Sequence, residues 1–571
     1  MTSFSSLVEL LEHRAATQRE ERACIFLTDR GAEESTLTFG GLFERANSLA
    51  ARLAAIAKPG DRALLVFPPG LEFVVAFFGC LIAGVIAVPM MVPRRQSARD
   101  SSASIMANCQ PAVALTSPAM AIRDDLRARF AGSDMQWLSV DLAPGIPSRI
   151  AFPRPGPDDI AFLQYTSGST SDPKGVVVSH ANLLENLEMI RVALGNTKQS
   201  AFVNWVPLYH DMGLILNVLQ ALYVGALCVL MSPNTFVQRP LLWLRAIHEY
   251  RAEVAAAPNY GFDLCVSRLR ADQMAGIDLS SWKIALTGAE PVRAETLERF
   301  VEAFAPYGLA PGAVFPAYGM AEATLMITAG RRGGGYITHT VSNAGLQAHA
   351  VRPPIEQADA HAVVGCGRAL PGQQVAIVDP ETKCRLGTNV VSEVWASGPN
   401  IARAYWQSTD ATAASLNARI AGEDDTPWLR TGDLGFLDAA GDLFITGRIK
   451  DLIIVRGMNH YPQDIEHTVQ STHPALRQNG GAAFSVTDER GEETLVIVQE
   501  VERTERNKID AEEIAGVIRE AVINEHEVFA RHIVLIRPNT LPKTTSGKIQ
   551  RSLTRKLWQE RKLDYLAPEA V

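Results

Sequence analysis

Residues 165–176 read Tyr-Thr-Ser-Gly-Ser-Thr-Ser-Asp-Pro-Lys-Gly-Val, and they decide how the rest of the chain is understood. An apolar run at 160–163 leads into this stretch and a second, 176–178, leaves it toward a helix whose N-cap is Ser179. Between the runs lie hydroxyls, two glycines and one lysine. Glycine lets a backbone approach a ligand closely, small hydroxylated residues supply donors, and Lys174 adds a point charge suited to phosphate. The stretch therefore predicts a loop that holds a polyphosphate between two strands. It is not the P-loop of kinases and GTPases, which needs Gly directly before Lys and Ser or Thr directly after. Here Pro173 precedes Lys174 and Gly175 follows it.

With 571 residues the chain is too long for one core, so several domains are expected. The 47% hydrophobic and 20% charged content is that of a soluble globular protein. A net charge of -8 offers no general attraction to nucleic acid. Seven scattered cysteines without a C-x-x-C pair argue for reduced thiols and a cytoplasmic setting. Neither a secretory signal nor a retention or peroxisomal tripeptide is visible. Residues 73–93 carry no charge and are long enough to span a bilayer, but Gly79, Gly84 and Pro89 divide them. That pattern predicts a buried helix, a turn and a strand, with no transmembrane segment.

Outward from the opening loop, strands alternate with helices. Strands are expected at 63–67, 112–116 and 137–140, which implies parallel sheet with covered faces. Downstream, Leu183, Leu184, Leu187, Ile190 and Leu194 form the inner face of one helix. His210 and Asp211 then sit side by side, and two readings stay open on these residues alone: acid–base chemistry, or a turn whose Asp caps the next helix. Strands at 283–286 and 314–317 end in the turns 287–291 and 318–324, with Pro291 expected to open a helix. Two such endings suggest a site at the carboxyl edge of a sheet. Glu322 either favours a helix dipole or holds a metal on a phosphate.

Residues 330–365 differ in texture and read as an insertion, with His339, His349 and His361 too far apart for a zinc site and expected at the surface. Short strands at 374–378, 391–395 and 443–445 suggest antiparallel or barrel-like material. Residues 430–435 read as a turn with one well-placed carboxylate, and 447–451 as a charged link before a new α/β unit at 452. Near the end, Lys548 lies on a Gly/Ser/Thr turn before the last helix. Residues 543–562 carry seven basic side chains against one acidic, a charge imbalance that suits an acidic partner.

Five of these pieces, in order, resemble the adenylate-forming superfamily of acyl-CoA synthetases, adenylation domains and luciferases. They are 165–176, 318–324, 430–435, 447–451 and 542–548. Within it, Pro207-Leu208-Tyr209-His210-Asp211-Met212-Gly213, Gly367-Arg368-Ala369-Leu370-Pro371-Gly372 and Asn459-His460-Tyr461-Pro462-Gln463-Asp464-Ile465-Glu466 are similar to the fatty acyl-AMP ligases. So is the placement of the 330–365 insertion. Ser171 departs from the Gly often found there.

The resemblance implies an α/β fold. A large N-terminal domain, 1–449, holds two packed α/β subdomains and a small barrel-like β subdomain, and a small mobile α+β domain, 450–571, follows. It implies that Mg·ATP and a fatty acid give acyl-adenylate and pyrophosphate, and that the phosphopantetheine thiol of an acyl carrier protein, supplied in trans, takes the acyl group. Thr166, Ser167, Gly168, Ser169, Thr170 and Lys174 would hold the β- and γ-phosphates, and Glu322 with Thr166 would hold Mg²⁺. Gly288, Ala289, Glu290, Tyr318, Gly319, Met320 and Ala321 would line the nucleotide slot. Asp433 would take the ribose hydroxyls, with Arg448 assisting. His210 would lie beside the carboxylate, Lys548 would bridge carboxylate and α-phosphate, and Lys450 would be the hinge. The competing expectations are a fatty acyl-CoA ligase and a non-catalytic acyl-nucleotide binder.

Overall fold

A computed structural model describes residues 4–93, 102–123, 130, 135–144, 152–166, 173–455, 458–487, 493–544 and 547–570. Two large sheets organise the first part of the chain. One has six strands, in the order Gln136–Ser139, Val113–Thr116, Arg62–Val66, Ile86–Met90, Ile160–Thr166, Lys174–Ser179, parallel except for the last hairpin. The other has nine strands. Its central five, Phe202–Asn204, Cys228–Met231, Val254–Ala257, Ile284–Thr287 and Val314–Gly319, run parallel, so their carboxyl ends share one edge. Val254–Ala257 and Ile284–Thr287 are buried throughout, as strands covered on both faces must be.

The uncharged stretch that raised the membrane question is the helix Glu72–Ala83 followed by the strand Ile86–Met90, and Phe73 through Ala83 are all buried. A helix apolar on every side belongs inside a core, where each Phe or Leu contributes about 1.5–3 kcal/mol. No helix among the described residues is long and apolar enough to cross a membrane. Ser179 caps the helix His180–Leu194 through a reciprocal capping box with Asn182, whose amide also donates to the carbonyls of Pro399 and Ile401. That cap ties the helix to a segment important to the site below.

A four-stranded antiparallel sheet follows, in the order Gln374–Val378, Ser392–Ser397, Leu429–Leu437, Leu443–Arg448. The last unit has a three-stranded sheet, Leu476–Thr487, Glu493–Val501 and Ala530–Ile536, with the helices Pro462–Thr472, Ala511–His526 and Arg551–Gln559. Its two apolar clusters draw only on residues from Ile453 onward, so it has a core of its own.

The 330–365 segment is more ordered than its texture suggested. It forms a two-stranded sheet, Thr338–Ser342 with Ala360–Val364, and a short helix, Asn343–Gln347. Its Val341, Leu346 and Val363 share an apolar cluster with Phe436, Phe444 and Tyr461. The three histidines are partly exposed, and two of them also make packing contacts. His339 packs 4.4 Å from the Phe444 ring, and His349 Nε2 lies 2.8 Å from Asn459 Nδ2. Asn459 also donates to the Gln347 carbonyl at 2.8 Å, so the segment is fastened to the last unit by contacts far apart in sequence.

Candidate active site

Four parallel strands of the nine-stranded sheet deliver their following loops to one edge. After Phe202–Asn204 come His210 and Asp211; after Val254–Ala257 comes Tyr260; after Ile284–Thr287 come Gly288, Ala289 and Glu290; after Val314–Gly319 comes Glu322. Residues from distant parts of the chain meet there because the crossovers are right for a parallel sheet, whose carboxyl edge gathers loops.

The nucleotide side is built around Asp433, 4% exposed. Tyr318 donates its hydroxyl to Oδ2 at 2.7 Å and Arg448 Nε donates to Oδ1 at 2.7 Å. Asp433 and Arg448 face each other as a register pair across Leu429–Leu437 and Leu443–Arg448. The turn expected at 430–435 is therefore a strand. It hides its turn-like composition in a bulge against Ser392–Ser397, where Gly432 takes φ +72°. Burial, and then the neighbouring Asp433 charge, push the Tyr318 hydroxyl well above its usual range. Asp433→Asn keeps the hydrogen-bond shape but removes the charge opposite Arg448. It is expected to raise the KM for ATP about tenfold, checked by steady-state exchange kinetics.

Glu322 does not start a helix. It lies in the single 3₁₀ turn Ala321–Ala323 between antiparallel strands, and the helix expected at Pro291 begins at Ala294. The chain leaves Glu322 through a γ-turn: Thr324 has φ 65° and ψ -59°, and Leu325 N–H donates to the Ala323 carbonyl at 2.7 Å. This conformation is rare and strained for a β-branched residue. Asn400 over-determines it, donating to the Ala323 carbonyl at 2.8 Å and accepting the Thr324 hydroxyl on its own carbonyl at 2.6 Å. Gly319 makes the close approach possible, since a Cβ there would sit 1.8 Å from the Leu325 carbonyl oxygen. Asn400→Ala should take one of two donors from the Ala323 carbonyl and leave the buried Gln373 amide without its acceptor, costing about 1–3 kcal/mol in thermal or denaturant unfolding, and lower activity by misplacing Glu322.

The Glu322 carboxylate itself is buried, and burial raises its pKa above the usual carboxylate range; the Tyr405 hydroxyl donates to Oε1 at 2.8 Å. The same Tyr405 ring carries Lys174 Nζ 5.0 Å from its centroid, a cation–π contact. Lys174 pairs in register with Thr166, so these two residues end the hairpin that the phosphate loop closes. Ser167, Gly168, Ser169, Thr170 and Ser171 lie outside the described residues.

On the acid side, His210 Nδ1 lies 2.6 Å from Asp211 Oδ1, and the same carboxylate oxygen accepts Met212 N–H at 2.7 Å. The capping reading holds, since Asp211 is the N-cap of the wide π-helical segment Met212–Leu219, and the same carboxylate also contacts His210. Gln164 fixes the loop by donating to the Tyr209 carbonyl at 3.0 Å. Glu290, half-buried, accepts the Tyr260 N–H at 2.7 Å, and its desolvation raises its pKa. Ala289 stands in the left-handed region at φ 68°.

Lys548 arrives from the last unit on a turn closed by Thr544 N–H to the Lys548 carbonyl at 2.7 Å. Its ammonium enters the field of Asp211, Asp433 and Glu290; burial, followed by Arg448, lowers its pKa against their pull. The tertiary structure thereby brings His210, Glu290, Tyr318, Asp433, Arg448 and Lys548 into one charged cleft, while Lys174, Thr166 and Glu322 are joined through Tyr405 and the hairpin register. Lys450 is exposed within the turn Ile449–Asp451, outside the cleft. Its neighbours are tied in opposite directions: Arg448 to Asp433, and Asp451 to Arg551 at 3.0 Å.

The basic stretch 543–562 is less available than its composition implied. Lys543 donates to the Asn479 carbonyl, Lys548 is in the cleft, and Arg551 is committed to Glu466 and Asp451. Tyr405, Tyr260 and Asn400 were not legible as site residues. Each acts on a motif residue 30 to 83 positions away in sequence, and no local pattern signals such a contact.

Comparison with known proteins agrees with this arrangement. The AMP-binding enzyme family model matches residues 11–406, and a model described as Disco-interacting protein 2-like, AMP domain, matches 450–567. The chain is 41% identical to the medium-chain-fatty-acid–[acyl-carrier-protein] ligase JamA of Moorena producens, across 98% of this chain and 96% of that protein. It is 36% identical to a 4-hydroxyphenylalkanoate adenylyltransferase of Mycobacterium tuberculosis, across 96% and 91%. Among solved structures, the fatty acid AMP ligase from Legionella pneumophila superposes with a TM-score of 0.74 at 38% identity, covering 98% of this chain and 97% of that one. With the adenylate-forming fold and its cleft in place, the chain belongs to the AMP-binding enzyme family and, within it, to the fatty acyl-AMP ligases.

Proposed function

We propose that this protein activates a fatty acid with ATP to the acyl-adenylate, releasing pyrophosphate, and passes the acyl group to the phosphopantetheine thiol of an acyl carrier protein. The observation that carries the first step is the meeting of Lys548 with Asp433, Arg448 and the His210–Asp211 pair in one buried cleft. Two anions must approach each other there, and negative charge shifts onto phosphate oxygens. Preorganised cations therefore supply most of the rate.

Asp433 accepts the ribose hydroxyls, Arg448 steadies Asp433 and the α-phosphate side, and Tyr318 with Gly288, Ala289, Glu290, Gly319, Met320 and Ala321 lines the adenine slot. Lys174, with Thr166 and residues 167–170, holds the β- and γ-phosphates. Lys548 bridges the acid's carboxylate and the α-phosphate, lowering the repulsion at the moment of attack. His210 orients that carboxylate.

The residues present suit Mg²⁺, which prefers one or two carboxylates plus substrate oxygens. Glu322 is a single buried carboxylate with Tyr405 on only one oxygen, in a place where burial alone disfavours an uncompensated charge. Glu322 with Thr166 would hold the ion, which when bound neutralises charge on the phosphate oxygens.

Residues 1–449 and 450–571 act as two domains in this reading, with Lys450 as hinge. The separate apolar cores and the opposite anchoring of Arg448 and Asp451 support it. Rotation about Lys450 would withdraw Lys548 after the first step and admit the carrier's thiol. The protein would act in the cytoplasm.

The relatives named as acyl-carrier-protein ligases, and the insertion fastened to the last unit through Asn459, favour a carrier protein over coenzyme A as acceptor. Purified protein given acyl-adenylate is expected to load holo carrier protein at least about tenfold faster than it forms acyl-CoA, read by mass spectrometry. Efficient acyl-CoA formation would instead favour the ligase alternative. Absence of pyrophosphate exchange with a panel of fatty acids would favour the non-catalytic binder.

A further inference from the structure

We propose that Asp211 is a positioning residue of the adenylation step, orienting His210 in the cleft and adding negative charge to the field that Lys548 enters. The proposal rests on the adenylation reading above.

The geometry around Asp211 is specific. A ring nitrogen 2.6 Å from a carboxylate oxygen requires a proton between them, so His210 carries hydrogen on Nδ1 and donates it to Oδ1. The Met212 N–H, 2.7 Å from Oδ1 and 3.2 Å from Nδ1, then belongs to the carboxylate. This fixes both tautomer and ring direction and leaves Nε2, which no described residue bonds, for the acid. Without the carboxylate, Nδ1 would accept from Met212 N–H and the proton would move to the other nitrogen.

The second duty is electrostatic. Three carboxylates lie within electrostatic reach of Lys548: Asp211, Asp433 and Glu290. Asp433 already receives Arg448 and Tyr318, and Glu290 receives the Tyr260 N–H. Asp211 uses Oδ1 for both of its hydrogen bonds, and Oδ2 takes none from the described residues. Asp211 and Glu290 thus each keep one carboxylate oxygen free of hydrogen bonds from the described residues, and of the two only Asp211 also holds a histidine. Its carboxyl is kept below the usual carboxylate range, against the effect of burial, by His210 first and then by Lys548 and the Met212 N–H. The other charged groups in reach are Arg448, which repels Lys548, and Glu322, which repels Asp211. A helix cap alone would need neither the histidine nor the lysine.

Asp211→Asn separates these duties from capping, because Asn can still accept from Met212 N–H and from Nδ1–H but carries no charge. With octanoate as probe, pyrophosphate exchange by Asp211→Asn is expected to lose between about 10- and 100-fold in kcat, with a smaller change in KM for ATP. The alkaline limb of its pH profile should move to lower pH, because the Asp211 charge favours the Lys548 ammonium. Transfer from preformed octanoyl-adenylate to holo carrier protein should stay within about threefold of wild type, since Lys548 is not needed there. Thermal unfolding of Asp211→Asn and Asp211→Ala guards against a folding defect. Exchange by Asp211→Asn that matches wild type at every pH would overturn the role of Asp211 and leave adenylation standing. Equal losses in both half-reactions with a lowered Tm would reduce Asp211 to a structural cap. Absence of exchange in the wild-type enzyme would sink the adenylation reading and this role with it.

Discussion

Lys548→Ala is expected to slow adenylate formation by a factor of about 10² to 10³, while ATP binding survives. The cation reaches a cleft that holds Arg448, Asp211, Asp433 and Glu290, and it arrives half-buried. A preorganised charge in a water-poor site stabilises developing phosphate charge far more than the same charge in solvent. Losing one such group costs about 3–4 kcal/mol of transition-state stabilisation. Asp433, Arg448 and Tyr318 remain in place to hold nucleotide, so equilibrium ATP binding should change little. Pyrophosphate exchange beside a calorimetric ATP titration checks both halves. Wild-type exchange by the variant would remove Lys548 from the mechanism.

The same environment fixes a pH dependence. Lys548 acts only as an ammonium, and burial followed by Arg448 lowers its pKa below that of an ordinary lysine, about 10.4. Exchange activity should therefore decline at a pH below that value as the proton is lost, while the lysine of a solvated turn would still be charged.

Arg551→Ala is expected to be the most destabilising single change in the last unit, costing about 3–5 kcal/mol. Arg551 makes a two-pronged bond to Glu466, Nε to Oε1 and Nη2 to Oε2 at 2.7 Å each, and a third contact to Asp451. Glu466 is 4% exposed, and its Oε1 also accepts the Ala483 N–H at 2.9 Å. One guanidinium thus joins the inter-unit link, the helix Pro462–Thr472 and the helix Arg551–Gln559. Its removal leaves a buried carboxylate without a cation, which costs more than the pair itself contributes. Arg551→Lys should recover only part of the loss, because an ammonium cannot make the two-pronged contact. Thermal unfolding, with limited proteolysis near residue 450, checks this. Lys548 lies three residues upstream, so adenylation should fall together with stability. Unchanged stability in Arg551→Ala would show that solvent replaces the pair.

How far sequence carries depends on how local each interaction is. The strand–loop–strand around residues 165–176, the all-apolar helix Glu72–Ala83 with its following strand, and the Ser179 cap were legible, because hydrophobic period, glycine placement and capping are set by neighbours in the chain. The chemistry-bearing residues were legible as ordered motifs, each with its own small set of charged and hydroxylated side chains. Where sequence misread structure, a non-local partner had overridden composition. Residues 430–435 look like a turn and become a strand because Ser392–Ser397 and Leu443–Arg448 pair on either side. Glu322 looks like a helix start and instead lies at a strained turn that Asn400 holds from a distance. Of the basic residues that read as an exposed patch, Arg555, Lys556, Arg561 and Lys562 are exposed, but Arg551 turns inward because the buried Glu466 carboxylate awaits it.

The stretch Tyr-Thr-Ser-Gly-Ser-Thr-Ser-Asp-Pro-Lys-Gly-Val, with the motifs that follow it, determined by itself that this chain handles a nucleotide's phosphates and what kind of fold does so. Only the tertiary structure decided which charges face one another. It set Asp433 against Arg448, Asp211 against His210, and Tyr405 on Glu322. Local propensity acts over a few residues of chain, but electrostatic attraction acts through space, and only folding brings those charges within its range.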